Sequence, residues 1–359
     1  MINRFKKVEM AGIVSLSRLP GTKSLRGNTG YHVEKLMVIV DDKHLDMLDE
    51  MMHPKKWGIQ VVYILTDSAA VRCIFPEHSR IYPTGANIKS LLRFDVIDEI
   101  VCCHSALPAS YLHELTEICS QFGVSLLVLP ASKYAGQVVT GSRSIADFCF
   151  NVLETNPRRR IGFMLKSMAE MSFAAIALSL LSPFLLLVAA LIKITSSGPV
   201  IFKQQRVGLR GRKFYIYKFR TMVDDAEKRK AALTDLNESD GPAFKIARDP
   251  RITPFGRWLR KTGLDEIPQL INVMRGEMSL IGPRPMLPGE VSAQKDWQLK
   301  RMCIKPGITC TWQIHSNRNK VPFDKWMQLD RDYVENWSLA TDIKIFFSTV
   351  RSIFAARGL

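Results

Sequence analysis

The first third of the chain alternates short apolar runs with stretches of helical periodicity. The apolar runs are LMVIV at 36–40, QVVYIL at 60–65, EIVCC at 99–103 and VSLLVL at 124–129. Runs of this length suit strands of a parallel sheet that is buried on both faces. Between the first two runs, Leu45, Leu48 and Met51 recur at helical spacing. The pattern predicts an α/β fold, with a Rossmann-like domain over residues 31–132 that follows a basic extension at 1–30.

The turn after the first apolar run reads DDKHLDML from Asp41, so it lacks the G-x-G-x-x-G sequence that cradles a pyrophosphate. Ligand binding by this domain stays open, but a regulatory or dimerising role is favoured, and a homodimer is one expectation. The next residues, 133–160, contain Gly, Ser and the cluster Arg158–Arg160. We interpret residues 133–160 as a linker.

Residues 171–192 form a run of 22 residues without a charge. A straight helix of that length is about 33 Å long and could cross a bilayer. However, Ser182 and Pro183 interrupt the run, and basic residues flank it on both sides, which favours keeping both ends in the cytoplasm. We therefore predict a re-entrant helical hairpin within residues 161–195. A single-pass span and a buried core helix remain as alternatives.

A basic strip follows the apolar run. Its eighteen residues, Lys203 to Arg220, hold seven basic side chains and no acid, and the alternation in KFYIYKFR fits a strand. The whole chain has a net charge of +16, which indicates an anionic partner. Nucleic acid is not favoured, because no helix-turn-helix, zinc or aromatic-basic RNA motif accompanies the charge. A strip beside a membrane helix would instead meet anionic headgroups or phosphates.

An adjacent pair of acids, Asp265 and Glu266, lies in a segment rich in arginine. Adjacent carboxylates repel each other unless a metal ion or arginines lie around them. Pro268 can occupy the first turn of a helix, and Thr262 could cap that helix, so we expect the acids at a helix N-terminus. Such an end favours phosphate. The candidate phosphate-binding residues are Lys218, Arg220, Arg251, Arg257, Arg260 and Arg284.

Several motifs from about Lys166 onward resemble the bacterial sugar transferase family, the monotopic phosphoglycosyl transferases that start glycan assembly on a polyprenyl phosphate. The matching stretches are Ser182-Pro183, SSGPVIFKQQRVGLRGRKFYIYKFRTM from Ser196, DPRITPFGRWLR from Asp249, LDEIPQL from Leu264, GEMSLIGPRP from Gly276, KPGITCTWQI from Lys305 and DRDYVENWSLATDIKIF from Asp330. The resemblance implies a monotopic membrane segment at 161–195, followed by a mainly helical catalytic domain at 196–359.

What the family implies is transfer of a sugar 1-phosphate from a nucleoside diphosphate sugar, a UDP-sugar in particular, to polyprenyl (undecaprenyl) phosphate. Asp265 would then be the nucleophile and Glu266 would hold Mg²⁺, with Asp265 as a second metal ligand. An aspartate is already ionised at neutral pH and needs no general base to attack phosphorus. The expected location is the cytoplasmic face of the bacterial inner membrane, and the product would start exopolysaccharide, capsule or glycoconjugate assembly.

Two other functions stay open from the sequence. A membrane-bound hydrolase would use the same acids with water as the acceptor, but the apolar run would then have no purpose. A non-catalytic scaffold would bind a nucleotide sugar or anionic lipid, although the intact acid pair weighs against it. Because no family motif falls within residues 36–130, we expect that region to be dispensable for the chemistry.

Overall fold

The structure, a computed structural model, describes residues 33–105, 107–130, 138–153, 160–238, 241, 244, 246, 248–292, 294–314 and 321–354. Its strands are β1 (Glu34–Val40), β2 (Ile59–Leu65), β3 (Ile81–Tyr82), β4 (Glu99–Cys103), β5 (Ser125–Val128), β6 (Val139–Ile145), β7 (Phe148–Leu153), β8 (Ile201–Val207), β9 (Lys213–Phe219), β10 (Ser279–Ile281) and β11 (Gly307–Thr309).

The α-helices of the described residues are α1 (Leu45–Met51), α2 (Pro54–Trp57), α3 (Ala69–Ile74), α4 (Ile88–Phe94), α5 (Ala109–Phe122), α6 (Arg160–Thr195), α7 (Ala226–Lys230), α8 (Pro254–Thr262), α9 (Leu270–Met274), α10 (Pro288–Ser292), α11 (Phe323–Glu335) and α12 (Leu339–Phe354). Short 3-10 helices comprise Asp42–His44, Leu209–Gly211, Ala231–Leu236, Trp312–Ile314, the acid-pair helix (Leu264–Gln269) and the bridging helix (Asp296–Cys303).

The N-terminal sheet has the strand order β3-β2-β1-β4-β5-β7-β6. Strands β1 to β5 pair in parallel, and the order reverses between β1 and β4, as in a doubly wound sheet. Along β1, Met37 and Ile39 pack into one apolar cluster while Leu36 and Val38 pack into another, so both faces are buried. This burial explains the nearly continuous apolar runs, and the sheet confirms the predicted α/β class.

The prediction of a linker at 133–160 is wrong where the structure describes that region. Strands β6 and β7 pair antiparallel with each other, and β7 pairs antiparallel with β5, so residues 139–153 complete the sheet. Phe150 on β7 is fully buried, whereas β6 is an exposed edge strand of polar residues. The polar composition of an edge strand concealed this hairpin from pattern analysis. The predicted extension at 1–30 and Arg158 and Arg159 lie outside the described residues.

Helix α6 is one continuous helix with Pro183 inside it, and not two helices joined by a turn. It is the helix, among the described residues, that is long and apolar enough to cross a membrane by length and composition. Pro183 lacks the N–H that would bond to the carbonyl of Ser179 four residues earlier. The Ser182 hydroxyl donates to that same carbonyl at 2.8 Å. Ser182 thus supplies to this carbonyl the hydrogen bond that Pro183 cannot make.

Both halves of α6 pack on the segment that follows it. Ala174 packs with Phe214 of β9 and Val273 of α9, and Val188 packs with Phe219 and Leu259. Between these contacts the helix is largely exposed, since only 11% of its most apolar window is buried. The alternative of a buried core helix is therefore wrong. The C-terminal segment combines the antiparallel β8–β9 hairpin and the parallel β10–β11 pair with helices.

Candidate active site

The acid pair is placed by a sharp change of chain direction after α8. Helix α8 ends at Gly263, whose φ of 70° lies in the left-handed region where glycine is favoured. The acid-pair helix starts at once, with Asp265 and Glu266 in its first turn, as predicted. The predicted capping role of Thr262 is wrong. Its hydroxyl donates to the carbonyls of Trp258 and Leu259, so it closes α8 instead.

Lys218, near the end of β9, forms an ion pair with Glu266. Burial would raise the pKa of Glu266, but the Lys218 ammonium, followed by Arg284 and Arg206, holds that pKa below its ordinary value. Asp265 is buried, and burial, followed by the Glu266 carboxylate, raises its pKa above the ordinary value. The two acids therefore have different roles available to them. Glu266 is held as an anion, whereas Asp265 is a poorly solvated carboxylate.

Arg260 is positioned beside the pair by the packing of α8. The helix begins with Thr253 as its N-cap, and the hydroxyl of Thr253 accepts a bond from the N–H of Gly256 at 3.0 Å. A Cβ at Gly256 would lie 2.1 Å from the carbonyl oxygen of Thr221, so only glycine permits this approach. One turn later, Arg260 Nε donates to Thr221 Oγ1 at 2.9 Å. The Arg260 charge opposes the rise in the Asp265 pKa.

Arg284 and Arg206 complete the cationic surroundings on the side of Glu266. Arg206 donates to the carbonyl of Pro285 at 3.1 Å and is buried. Burial, followed by the nearby charge of Arg284, lowers the pKa of Arg206 to about 10. Arg284 is only partly buried and lies with its guanidinium 6.0 Å from the ring centre of Trp326. Both guanidinium charges favour the ionised form of Glu266.

Two predicted phosphate-binding arginines have structural partners instead. Arg220 donates to the carbonyls of Pro199 (2.6 Å) and Ser196 (2.8 Å), and so fastens the chain where it leaves α6. Arg251 binds both carboxylate oxygens of Asp249, at 2.8 and 2.6 Å, in a buried pair. These bonds occupy the guanidinium faces that a phosphate would need. Arg257 is exposed on α8, and its role in phosphate binding stays a prediction.

Two residues of this site, Arg206 and Thr221, were not predicted from the sequence. Arg206 lies in the basic strip, but nothing in the alternating pattern distinguished it from its neighbours until its burial beside Arg284 was known. Thr221 directly follows the strip, and a single threonine carries no signal in a sequence. Thr221 approaches the backbone of Gly256 only in the folded structure. Tertiary contacts of this kind leave no periodic pattern in the sequence.

The acid pair is a small ligand set for a metal. Among the described residues there is no group of three or more His, Cys, Asp or Glu side chains that could hold an ion. Mg²⁺ is often bound through one or two carboxylates, with substrate phosphates and water completing its shell. Asp265 and Glu266 fit that mode. They do not fit a metal held by protein ligands alone.

Comparisons with known proteins identify the family of this chain. Residues 161–356 match the model of the family described as bacterial sugar transferase. The chain is 37% identical over 223 residues to the exopolysaccharide production protein ExoY of Rhizobium meliloti, a match that covers 61% of this chain and 98% of ExoY. It is 45% identical over 161 residues to the galactosyl transferase CpsE of Streptococcus agalactiae, covering 45% of this chain and 36% of CpsE.

A third relative is the undecaprenyl-phosphate galactose phosphotransferase of Salmonella typhimurium, which is 38% identical over 214 residues. That match covers 57% of this chain and 44% of the relative. The chain thus spans less than half of two of these relatives and nearly all of ExoY. The family match includes α6, the acid pair and every cation described around it. The chain belongs to the bacterial sugar transferase family.

Proposed function

We propose that this protein transfers a sugar 1-phosphate from a nucleoside diphosphate sugar, with UDP as the carrier nucleotide, to undecaprenyl phosphate. The observation that carries the proposal is the acid pair, which lies among Lys218, Arg260 and Arg284 and next to the exposed apolar helix α6. The names of the relatives support a lipid phosphate as the acceptor. The transfer would start the assembly of a polysaccharide.

The chemistry is a double displacement at phosphorus. The Asp265 carboxylate oxygen attacks the phosphorus that bears the sugar, and the bond from that phosphorus to the oxygen bridging the two phosphates breaks. Nucleoside monophosphate leaves with the electron pair. A phosphate oxygen of the lipid then attacks the same phosphorus, which releases the Asp265 carboxylate and forms a polyprenyl diphosphate sugar. Because the attacking groups are already anions, neither step requires a general base.

The residues around the pair lower the electrostatic barrier to bringing anions together. Arg260 lies on the Asp265 side, while Arg284 and Arg206 lie on the Glu266 side. Fixed cations of this kind stabilise charge that develops on a leaving phosphate. Glu266 and Asp265 would hold Mg²⁺ together with the donor diphosphate, and the ion would supply Lewis-acid neutralisation of the leaving group. Lys218 keeps Glu266 ionised.

We further propose that α6 enters and leaves the bilayer from the cytoplasmic side. Every residue from Ser179 to Phe184 is exposed, with Leu181 at 37% and Leu180 at 76%, and these six residues cover about one and two-thirds helical turns. On either side of this stretch the helix packs on the same segment of the chain. The exposed stretch contains Ser182 and Pro183. Insertion of this middle stretch alone would leave both flanks on one side of the inner membrane.

Cysteine labelling from outside intact cells tests this topology. Single cysteines are introduced at Asn156 and at Lys213 in a background without native cysteines. Neither site should label in the parent, because both flanks are basic and each charge that passes the membrane centre costs about 2.5–3.5 kcal/mol. Replacing both Ser182 and Pro183 with Leu should expose one site and abolish activity. External labelling of either site in the parent would establish a single-pass span.

A transfer assay tests the function itself. Membranes that contain the full chain are incubated with a panel of nucleoside diphosphate sugars, with and without undecaprenyl phosphate, and nucleoside monophosphate and lipid-linked sugar are measured. With the lipid, one donor should yield both products in equal amounts over many turnovers. Without the lipid, nucleoside monophosphate should not exceed about one equivalent per enzyme. Release of sugar phosphate into water without the lipid would identify a hydrolase. Binding of donor without any product would identify a scaffold.

A further inference from the structure

The bridging helix, Asp296–Cys303, joins the N-terminal sheet domain to the active site. Its Leu299 is 2% exposed and belongs to the apolar cluster beneath β1 and α5, where it packs with residues such as Leu115 and Phe122. Met302 packs against the same cluster. The core of the N-terminal domain is therefore completed by side chains from the C-terminal segment. Removing either part would expose the apolar surface of the other.

The N-terminal domain also holds both ends of the bridging helix. At its start, Arg93 forms an ion pair with Asp296 and donates to the carbonyl of Gln294 at 3.1 Å. At its end, Cys303 Sγ donates to the carbonyl of Gln121 at 3.3 Å. Gly123 lies so close that a Cβ there would be 2.7 Å from the Cα of Cys303. The position of the helix is fixed by backbone as well as side-chain contact.

The opposite side of the bridging helix holds the loop that carries Arg284. Arg301 is 4% exposed, donates to the carbonyl of Arg284 at 2.7 Å and pairs with Asp330 at 2.6 Å. The same loop is fixed on either side of Arg284. The N–H of Val207 donates to the carbonyl of Met286 at 2.8 Å, and the N–H of Gly307 donates to the carbonyl of Pro283 at 2.9 Å.

We infer that the N-terminal domain positions Arg284 in the active site through the bridging helix, with Arg301 as the positioning residue between them. This inference rests on the proposed function, in which Arg284 binds a substrate phosphate. A second contact also links the N-terminal domain to the active site. Asp98 of the N-terminal domain pairs with Arg210 at 3.1 Å and with Arg212, at the turn before the strand that carries Lys218. The domain is a structural part of the active unit, contrary to the expectation that it is dispensable.

A matched pair of glycine variants tests the inference. Gly123 and Gly58 both end helices of the N-terminal domain, with φ of 68° and 69°. Alanine strains the backbone equally at both positions, but only Gly123→Ala presses on the bridging helix, because a Cβ at Gly58 meets nothing within 4 Å. Gly123→Ala should lower kcat/KM roughly 10- to 100-fold, as expected for a misplaced binding group. Gly58→Ala should leave kcat/KM unchanged, and the two variants should have similar thermal midpoints of unfolding.

A double-mutant cycle identifies the route of the effect. In an Arg284→Met background, Gly123→Ala should cause little further loss, because the cation that it displaces is already gone. An undiminished loss in that background, or wild-type kinetics for Gly123→Ala alone, would overturn the inference. If Gly123→Ala does not fold, Arg93→Met replaces it. Its control is Arg80→Met, which removes a different ion pair of the same domain.

Hydrogen exchange separates failure of this inference from failure of the proposed function. The amides of Val207 and Gly307 report on the Arg284 loop without any substrate. They should exchange faster in Gly123→Ala and not in Gly58→Ala. If the amides respond in this way while no donor gives transfer, the coupling holds and the function is wrong. If they do not respond in Gly123→Ala, the coupling itself is wrong.

Discussion

Two arginine-rich regions lie close together in this molecule and use their charge in different ways. Around the acid pair, Lys218, Arg260 and Arg284 act on two neighbouring carboxylates and lower their pKa values against the effect of burial. At the junction of α6 and α8, Arg220 binds carbonyl oxygens and Arg251 binds Asp249, so both guanidinium groups have structural partners within the protein. A cation is therefore less available to a substrate phosphate when backbone carbonyls or a single buried carboxylate already bind it.

The largest expected effect comes from the acid pair. Asp265→Asn should reduce transfer by on the order of 10³-fold or more, because an amide cannot form an acyl phosphate. The fold should persist, since asparagine has nearly the same size and removes a buried charge. The measurement is lipid-linked sugar formed per mole of folded enzyme. Asp225→Asn, which changes a surface aspartate paired with Arg229, serves as the control. Equal activity of both variants would remove Asp265 from the mechanism.

Loss of the lysine that holds Glu266 should have the next largest effect. Lys218→Met keeps the apolar stem of the side chain and removes its ion pair with Glu266. Transfer should fall by roughly 10²-fold, as for loss of one preorganised electrostatic group. Lys228→Met, an exposed lysine on α7, controls for the change in net charge. Kinetics unchanged from wild type in Lys218→Met would show that Glu266 does not need this partner.

The pH dependence follows from the raised pKa of Asp265. The ordinary value is 3.8, and burial together with Glu266 raises it, so the active carboxylate form is lost as pH falls through that higher value. Transfer should fall about tenfold per pH unit below it. Lys218→Met should shift this acidic limb to higher pH, because Lys218 opposes the rise. If the acidic limb extends down to the ordinary pKa range of aspartate, or shifts to lower pH in Lys218→Met, the raised pKa of Asp265 does not set the pH dependence.

The structural region should respond in stability rather than in rate. Arg251→Met leaves Asp249 buried without its partner, which typically costs about 3–5 kcal/mol of folding free energy. Transfer per folded molecule should stay within about twofold of wild type. Chemical denaturation and a kinetic assay at saturating substrate measure the two quantities separately. A loss of kcat without loss of stability would return Arg251 to the phosphate-binding set.

The sequence predicted those features that have a local pattern. The strands at 36–40, 60–65 and 99–103 were found because burial on both faces makes them almost entirely apolar. Strand β6 was missed because an edge strand is polar, and its pairing depends on distant residues. The acid pair was found from its unusual charge. The different roles of Arg260 and Arg251 could not be predicted, because both belong to the same basic stretch. Only their tertiary partners distinguish them.

The most direct test is to expose the enzyme to a donor alone. Full-length protein is incubated with UDP-sugar that is radiolabelled in the sugar, without undecaprenyl phosphate, and is then denatured. We expect stoichiometric UMP release and a label that stays on the wild-type protein, is absent from Asp265→Asn and persists in Asp225→Asn. Transfer that proceeds with lipid present, while no label is ever bound to protein, would show a direct displacement and contradict the covalent role of Asp265.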